Sequence, residues 1–530
     1  ATHAEKPGIC PKHGENENKE DDYPMALNSN NLRFIMGLKL KQYRLKRGYS
    51  LKELAEKTGL SISYLSEIEK GKKYPKPEKI LTLARALGVS FDTLVTLTVD
   101  GESDPIHSIL SSPVVQEFPF RMFGVSIQDV LNLITESPEK VSALVRTFRD
   151  IEQSYAMRMD HLLLAALRAY QHMHLNYFQE QEEAVAGFLR ENRWPPAPPV
   201  EEQRLREYVT QRLGYVIDEQ SLAHYPELQE YRSVWVDGAP PRLLLNPRLS
   251  SSQKKFILAR EIAFHYLNLT ERPSTFSWLK LESFAQLLNN FKASYFAGAL
   301  LMPREHFLED VQRFFEQPRW DEGQFLALLH RYQVTPEMLF YRFSELLPQF
   351  FGIRDIFFLR FHHRMGSQQY QLTKSFNLSS VFNSNGIGFQ EHHCRRWLSI
   401  RLLKQLAEAP TAAGAAPLLA AQRSRFIDSG KRVLMIAFAR PAALNPHLLL
   451  SGTVGFLIDE LFMEKVRFWD DPAIPEIEVN ESCERCGLTP EQCADRAAPA
   501  TIFHQQQELR LREKALHQLI RDVQSVHSKT

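Results

Sequence analysis

Residues 50–71 read SLKELAEKTGLSISYLSEIEKG, and their spacing sets the architecture of the N-terminal part of the chain. A short amphipathic helix opens behind Ser50, a tight turn falls at Gly59, and a second helix opens behind Ser61, which is helix-turn-helix spacing. The flanking runs LRFIMGLKLKQYRLKRG, PKPEKILTLARALG and SFDTLVTL carry the same helical period. They are punctuated by Gly48, Gly71, Pro75, Pro77 and Gly88, with Ser90 as a further N-cap. Five short helices over residues 31–98 are the expectation.

In such a unit the second helix enters the major groove of DNA. Its outward positions Ser61, Ser63, Tyr64 and Glu67 are expected at base edges, with Ile62, Leu65 and Ile68 facing the core. Lys70, Lys72 and Lys73 follow and suit phosphates, and Ser50 and Lys52 at the opening of the preceding helix complete the expected DNA-contacting set. Charge agrees: from Arg33 to Lys79 there are 13 Lys/Arg against 5 Asp/Glu, or +8, in a chain whose total is +1. The other use of such a bundle is contact with a protein. Residues 32–97 closely resemble the phage-repressor-type DNA-binding domain of the xenobiotic response element family. That resemblance implies a homodimer on a palindromic double-stranded DNA operator. The Gln common at the start of the recognition helix in such repressors is absent.

At 530 residues the chain is long enough for several domains, and its 44% hydrophobic content supports real cores. Residues 1–30 read as a flexible arm, with Cys10 and His13 incidental. Residues 99–199 read as a linker and a helical connector, including one long amphipathic helix from about 138 to 189 with Leu162, Leu163, Leu164, Leu167 and Tyr170 on or near its apolar side. The proline run WPPAPPV closes this stretch. Residues 200–348 read as an α+β block with a hairpin turning at Asp237 and Gly238. Residues 349–500 read as a mixed-sheet domain with strand-like IFFLRFHHR, YQLTKSF, RVLMIAFARP and TVGFLIDEL, a helix at 397–408 and an Ala-rich loop TAAGAAPLLAA. A polar C-terminal helix is expected within 501–530. The fold class is thus multi-domain, α-rich α+β. No apolar run reaches the roughly 18–20 residues of a membrane span and the N-terminus lacks an apolar signal core, so a cytoplasmic location without membrane contact is expected.

Within the α+β block lies REIAFHYLNL, residues 260–269. A zinc peptidase helix needs His-Glu-x-x-His, because residues four apart share a face and offer two imidazoles to the metal while the Glu acts as general base. Here those ligand places hold Arg260 and Phe264. His265 is one residue late, about 100° around the helix. The block resembles the metallopeptidase domain found behind such DNA-binding modules in phage-type and stress regulators, and the resemblance puts Lys292 at the third ligand place. Cations repel zinc, so the site is degenerate, no catalytic residue is assigned, and the chain is not expected to be an enzyme. Glu261 is expected to pair with Arg260 or Lys292. A peptidase-type regulator that cleaves a repressor is the alternative. Arg260, Lys292 and Arg304 lie near the vacated site and are possible phosphate partners, without being assigned as such.

Toward the C-terminus CERCGLTPEQC places Cys483 and Cys486 two residues apart and Cys493 six further on, and Cys394 lies upstream in HHCRRW. Two thiolates at that spacing suit one metal centre; spacing alone does not divide zinc from an iron-sulfur cluster. The order of segments over residues 32–500 resembles the short-chain fatty acyl transcriptional regulators of bacteria. Those segments are the DNA-binding module, RLLLNPRLSSSQKKFILAREIA, RYQVTPEMLFYRFSEL, a Cys ahead of a Trp, and a Cys cluster running into RAAP. The resemblance implies a [4Fe-4S] cluster held by Cys483, Cys486 and Cys493 with Cys394 as fourth ligand, and an acyl-CoA effector. The gap between Cys486 and Cys493 is longer than that family's pattern. A purely structural four-cysteine zinc site is the alternative.

Overall fold

The computed structural model describes residues 32–95, 118–125, 129, 147, 159–275, 283–382, 391–409 and 416–527. The expected arm, with Cys10 and His13, and most of the linker lie outside the described residues. The chain divides into two compact units, residues 1–170 with 280–288, and residues 171–279 with 289–530.

In the first unit the five expected helices form: α1 (Leu32–Lys46), α2 (Leu51–Thr58), α3 (Ile62–Glu69), α4 (Pro77–Leu87) and α5 (Phe91–Val95). Local chemistry sets their ends. Ser50 and Glu53 close a reciprocal capping box on α2, Ser61 Oγ accepts the Tyr64 N–H at 3.2 Å on α3, and Ser90 Oγ accepts the Thr93 N–H at 3.0 Å on α5. Gly59 ends α2 in the left-handed region at φ 69°, which lets the chain turn sharply into α3. Leu40, Leu54, Leu65, Ile68, Ile80, Leu83 and Leu87 fill the centre, each contributing about 1.5–3 kcal/mol by its burial. Gly37 is the contact point of α1 with α3: a Cβ there would run into the Ile68 carbonyl closer than real Cβ atoms come. Arg44 then forks onto Glu69 at 2.6 and 3.0 Å, fixing the far end of α3 to α1 in a nearly solvent-free pair.

The described part of the expected long connector helix holds two helices, α6 (Met159–Met173) and α7 (Gln179–Glu191), and its start, apart from residue 147, lies outside the described residues up to 158. Between them Leu175 and Asn176 adopt φ of 50° and 57°. The break is held by side chains: buried Asn176 accepts from Gln171 at 2.9 Å and donates to Ser344 at 3.1 Å, bonds a continuous helix would not place.

The α+β block follows with α8 (Glu202–Glu207), β1 (Val216–Asp218), β2 (Ser233–Val236) and β3 (Arg242–Leu245), then α9 (Ser251–Tyr266), α10 (Phe284–Leu301), α11 (Arg304–Phe315), α12 (Glu322–Tyr332) and α13 (Pro336–Phe350). Its sheet runs β1-β3-β2, with β2 and β3 paired antiparallel as the expected hairpin.

The last sheet has six strands in the order β5-β4-β8-β7-β6-β9: β4 (Ile356–Arg364), β5 (Tyr370–Asn377), β6 (Leu418–Phe426), β7 (Arg432–Pro441), β8 (Leu448–Leu457) and β9 (Glu476–Val479). Only the β6–β9 pair is parallel. The end of the expected Ala-rich loop is in fact strand β6, because Leu418 to Arg425 pairs with β7 and Arg423 to Phe426 with β9, while β9 carries no strand-like run of its own in the sequence. Helix α14 (Leu398–Ala407) packs on the face bearing Phe357, Leu359, Phe361, Met435 and Ala437. Helix α13 covers the other face, with Phe340 against Phe438 and Tyr341 against Phe358. Helix α15 (Glu460–Lys465) lies between β8 and β9, and α16 (Thr501–His527) is the last described helix. Among the described residues no helix is long and apolar enough to cross a membrane.

Candidate functional site

On the helix-turn-helix surface Ser61, Ile62 and Ser63 stand exposed in a row at the start of α3, followed by exposed Lys70 and Lys72, with Ser50 and Lys52 exposed on the neighbouring turn. Two positions differ from expectation. Ile62 does not face the core: it is 48% exposed, since Leu65 and Ile68 already fill the space between α3 and α1 and the first turn of α3 projects past the bundle. Tyr64 takes part of the core-facing role instead, half-buried, with Lys79 Nζ 4.3 Å above its ring. Glu67 and Lys73 are joined at 2.8 Å, so each neutralises the other in the free protein. An exposed aliphatic residue between two serines suits a thymine methyl flanked by hydrogen-bonding base edges.

At the degenerate peptidase helix, α9 carries Arg260, Glu261 and Phe264 inside the protein. Glu261 is held by hydrogen bonds from Arg272 and Tyr215. Arg272 reaches it from the following loop with Nη2 at 2.8 Å from both carboxylate oxygens, and Tyr215 Oη donates to it at 3.1 Å. The same guanidinium lies 4.1 Å from the Phe264 ring and 4.2 Å from that of Trp235. A peptidase would hold its metal-bound water against this glutamate; here a fixed organic cation stands against it. Arg260 donates to Asn290 on α10, and burial pulls its pKa down to about 10 despite the nearby Glu261 charge. His265 bonds to Tyr215 Oη at 3.1 Å, and burial with Arg272 lowers its pKa, so it belongs to the same polar knot and not to a ligand set. Lys292 is half-buried. Arg272 and Tyr215 lie at no motif spacing from α9, and sequence reasoning did not find them.

The four C-terminal cysteines come together from two segments. The loop before α14 is zipped to the loop after β9: Cys483 donates its N–H to the His392 carbonyl at 2.8 Å, Cys394 donates to Glu481 at 3.2 Å, and Trp397 Nε1 donates to Asn480 at 2.8 Å. Arg496 ties the Cys loop from inside, donating to the Cys483 and Cys486 carbonyls at 2.8 and 3.1 Å and to Leu488 at 2.7 Å. All four thiols are buried. Burial, aided by the Cys483 and Cys486 charges, pushes the Cys394 thiol up to about 12, while backbone donors at Asn480 and Arg396 oppose this. Burial likewise raises Cys486, against a backbone bond from Leu488, and raises Cys493. Four shielded thiols, backbone N–H groups aimed at sulfur and a guanidinium stapling the loop make a donor set suited to a positively charged centre that would deprotonate them. Among the described residues no group of three or more His, Cys, Asp or Glu side chains is arranged to hold a metal ion.

Comparison with known proteins gives two domain matches. Residues 40–94 match the Helix-turn-helix family and residues 211–344 the IrrE N-terminal-like domain. No curated protein matches the chain. Among solved structures, one described as a Mycobacterium tuberculosis transcriptional regulator is 19% identical, with 63% of this chain and 92% of that chain covered and a TM-score of 0.43. A hypothetical transcription factor NHTF from Neisseria is 29% identical, with 14% of this chain and 86% of that chain covered and a TM-score of 0.13. The chain joins a helix-turn-helix domain to an IrrE N-terminal-like domain, and it is a DNA-binding transcriptional regulator.

Proposed function

We propose that the chain regulates transcription as a homodimer whose DNA binding responds to an acyl-CoA or related metabolite and to the state of a four-cysteine metal centre, read as a [4Fe-4S] cluster. The convergence of Cys394, Cys483, Cys486 and Cys493 is the observation that carries this reading. These thiols lie near enough to feel one another's charge. When bound, such a cluster supplies a one-electron redox couple that the buried sulfurs and their N–H donors would tune. The Arg272–Glu261 pair stands where peptidase chemistry would need a metal-bound water, which supports a sensing scaffold over a protease. Exposed Leu509, Leu516 and Ile520 on α16 offer apolar surface for a second copy, as a palindromic operator requires.

Effector and cluster would both act by binding one of two conformations more tightly, since equal affinity shifts nothing. The test is iron, acid-labile sulfide and zinc on anaerobically purified chain. About four irons and four sulfides per chain are expected. One zinc without iron would replace the redox-sensing half with a structural zinc site, and operator binding measured on the same sample tests the regulatory half separately.

A further inference from the structure

The outward arc of α3 is chemically uneven. At about 100° per residue it runs from Ile62 through Ser66, Lys70 and Ser63 to Glu67, about 140° in all, while Leu65 and Ile68 face the core. Ile62 and Glu67 stand at its two borders, the first apolar and 48% exposed, the second a carboxylate with 37% of its side chain exposed. The rise between them is about 7.5 Å, or about two base-pair steps of a duplex. Tyr64 lies off this arc, under Lys79.

A lone carboxylate on a groove-facing helix is repelled by the same phosphates that draw in the basic module around it. Glu67 does not stand alone. The chain leaving α3 folds back so that Lys72 and Lys73 both donate their N–H to the Glu67 carbonyl, at 2.8 and 3.3 Å, and this return sets Lys73 Nζ 2.8 Å from Glu67 Oε2. Glu67 thus comes to the duplex as half of a neutral pair. Lys73, with 54% of its side chain exposed, has room to turn its ammonium to a phosphate as the carboxylate meets the base edges. The donors on those edges in the major groove are adenine N6 and cytosine N4; N6 lies between two acceptors, N4 beside one. A carboxylate therefore favours cytosine. Ile62, at the other border, offers no hydrogen bond, and the apolar group on a major-groove edge is the methyl at C5 of a pyrimidine.

We propose that two contacts of α3 fix the half-site: Glu67, released by Lys73, accepts from cytosine N4, and Ile62 packs on the 5-methyl of a pyrimidine about two base pairs away. Thymine and 5-methylcytosine share that methyl. This code rests on the DNA-binding reading above, so binding to random duplex is measured first, and its salt dependence separates failure of the code from failure of DNA binding.

The test is selection of sites from a random duplex pool by the full chain, parent and variants, followed by fluorescence anisotropy on the enriched site. The parent is expected to enrich cytosine and thymine at fixed positions about two base pairs apart. Replacing that thymine by deoxyuridine removes only the methyl and is expected to weaken binding about fourfold. This arm uses the parent chain, so it does not depend on a variant folding. Ile62→Ala is expected to bind the thymine and deoxyuridine duplexes alike. Recovery of affinity with 5-methylcytosine at that position assigns the methyl alone, and recovery with thymine only assigns thymine. Glu67→Gln is expected to shift selection from cytosine to adenine, whose N6 and N7 an amide reads together. By freeing Lys73 for a phosphate it is also expected to steepen the slope of log affinity against log salt by about 1. A merely structural glutamate would move neither. The proposal is overturned if no cytosine and thymine are enriched at that spacing, if the deoxyuridine duplex binds as the thymine duplex does, or if Glu67→Gln selects the same cytosine. A chain that holds no duplex at all overturns the reading and the code together.

Discussion

Arg272→Met tests what replaced the peptidase chemistry. The native pair is nearly solvent-free, with side-chain exposures of 8% and 5%, and both carboxylate oxygens of Glu261 are within 2.8 Å of one guanidinium nitrogen. Methionine keeps much of the stem's packing between Trp235 and Phe264 but leaves Glu261 buried with Tyr215 Oη as its remaining direct donor. Breaking a buried pair from one side costs about 3–5 kcal/mol, because the surviving charge has lost its counterion. With a urea m-value of about 2.5 kcal/mol/M, that moves the midpoint down by about 1–2 M. Adding Glu261→Gln removes the stranded charge and is expected to return about 1–3 kcal/mol, since the amide still accepts from Tyr215. The assay is urea unfolding followed by tryptophan fluorescence, with Trp235 directly over the substituted side chain. A double variant no more stable than Arg272→Met would refute the assignment of Arg272 as the cation that neutralises Glu261.

Lys70→Gln and Lys72→Gln are each expected to weaken binding to all DNA sequences alike and to reduce the slope of log affinity against log salt by about 1, read by fluorescence anisotropy at several salt concentrations. Ser61→Ala removes the cap of α3 and is expected to cost the DNA-binding module about 1 kcal/mol. Gly37→Ala, which drives a methyl into the Ile68 carbonyl, is expected to cost about 1–3 kcal/mol; calorimetric melting ranks the two. Glu345 provides a pH test. Burial raises its pKa to about 7, because Arg342 is shared with Glu182, which takes both guanidinium nitrogens at 2.7 and 3.1 Å. The folded state therefore holds a proton that the unfolded chain releases near its ordinary value of 4.5, so this group's contribution to stability falls as pH rises from about 4.5 to about 7. Glu345→Gln is expected to flatten that part of the stability curve, and an unchanged slope would show that other groups set it.

The helix-turn-helix was legible because every device that builds it is local: capping serines, a glycine turn and the 3.6-residue period all lie within the 22 residues from Ser50 to Gly71. Loss of the peptidase ligands was legible for the same reason, as four-residue spacing on one helix admits no substitute. What fills the space was not. Arg272 reaches Glu261 through the fold, across a turn and a left-handed Asn268, with no periodicity to announce it. Ile62 was misplaced because apolar periodicity records which residues could be buried and says nothing of how far a helix projects past its neighbours. Strand β6 was hidden by its alanine-rich start; it is a strand because β7 and β9 flank it, a long-range cause. The cysteine spacing pointed to Cys483, Cys486 and Cys493 as a set, but the arrival of Cys394 depends on the loop pairing of His393 with Ser482.

That pairing also joins thiol chemistry to the rim of the sheet. Strand β9 is only four residues long, forms the outer edge beside β6, and ends at Val479, just ahead of the loop that carries Cys483. Whatever slackens the loop releases the strand next to it, and a departing β9 uncovers the backbone donors and acceptors of β6 from Arg423 to Phe426. Oxidative injury to these sulfurs would therefore announce itself in solution as turbidity and strand-to-strand association between molecules, so handling the protein under reductant protects its solubility as much as its chemistry.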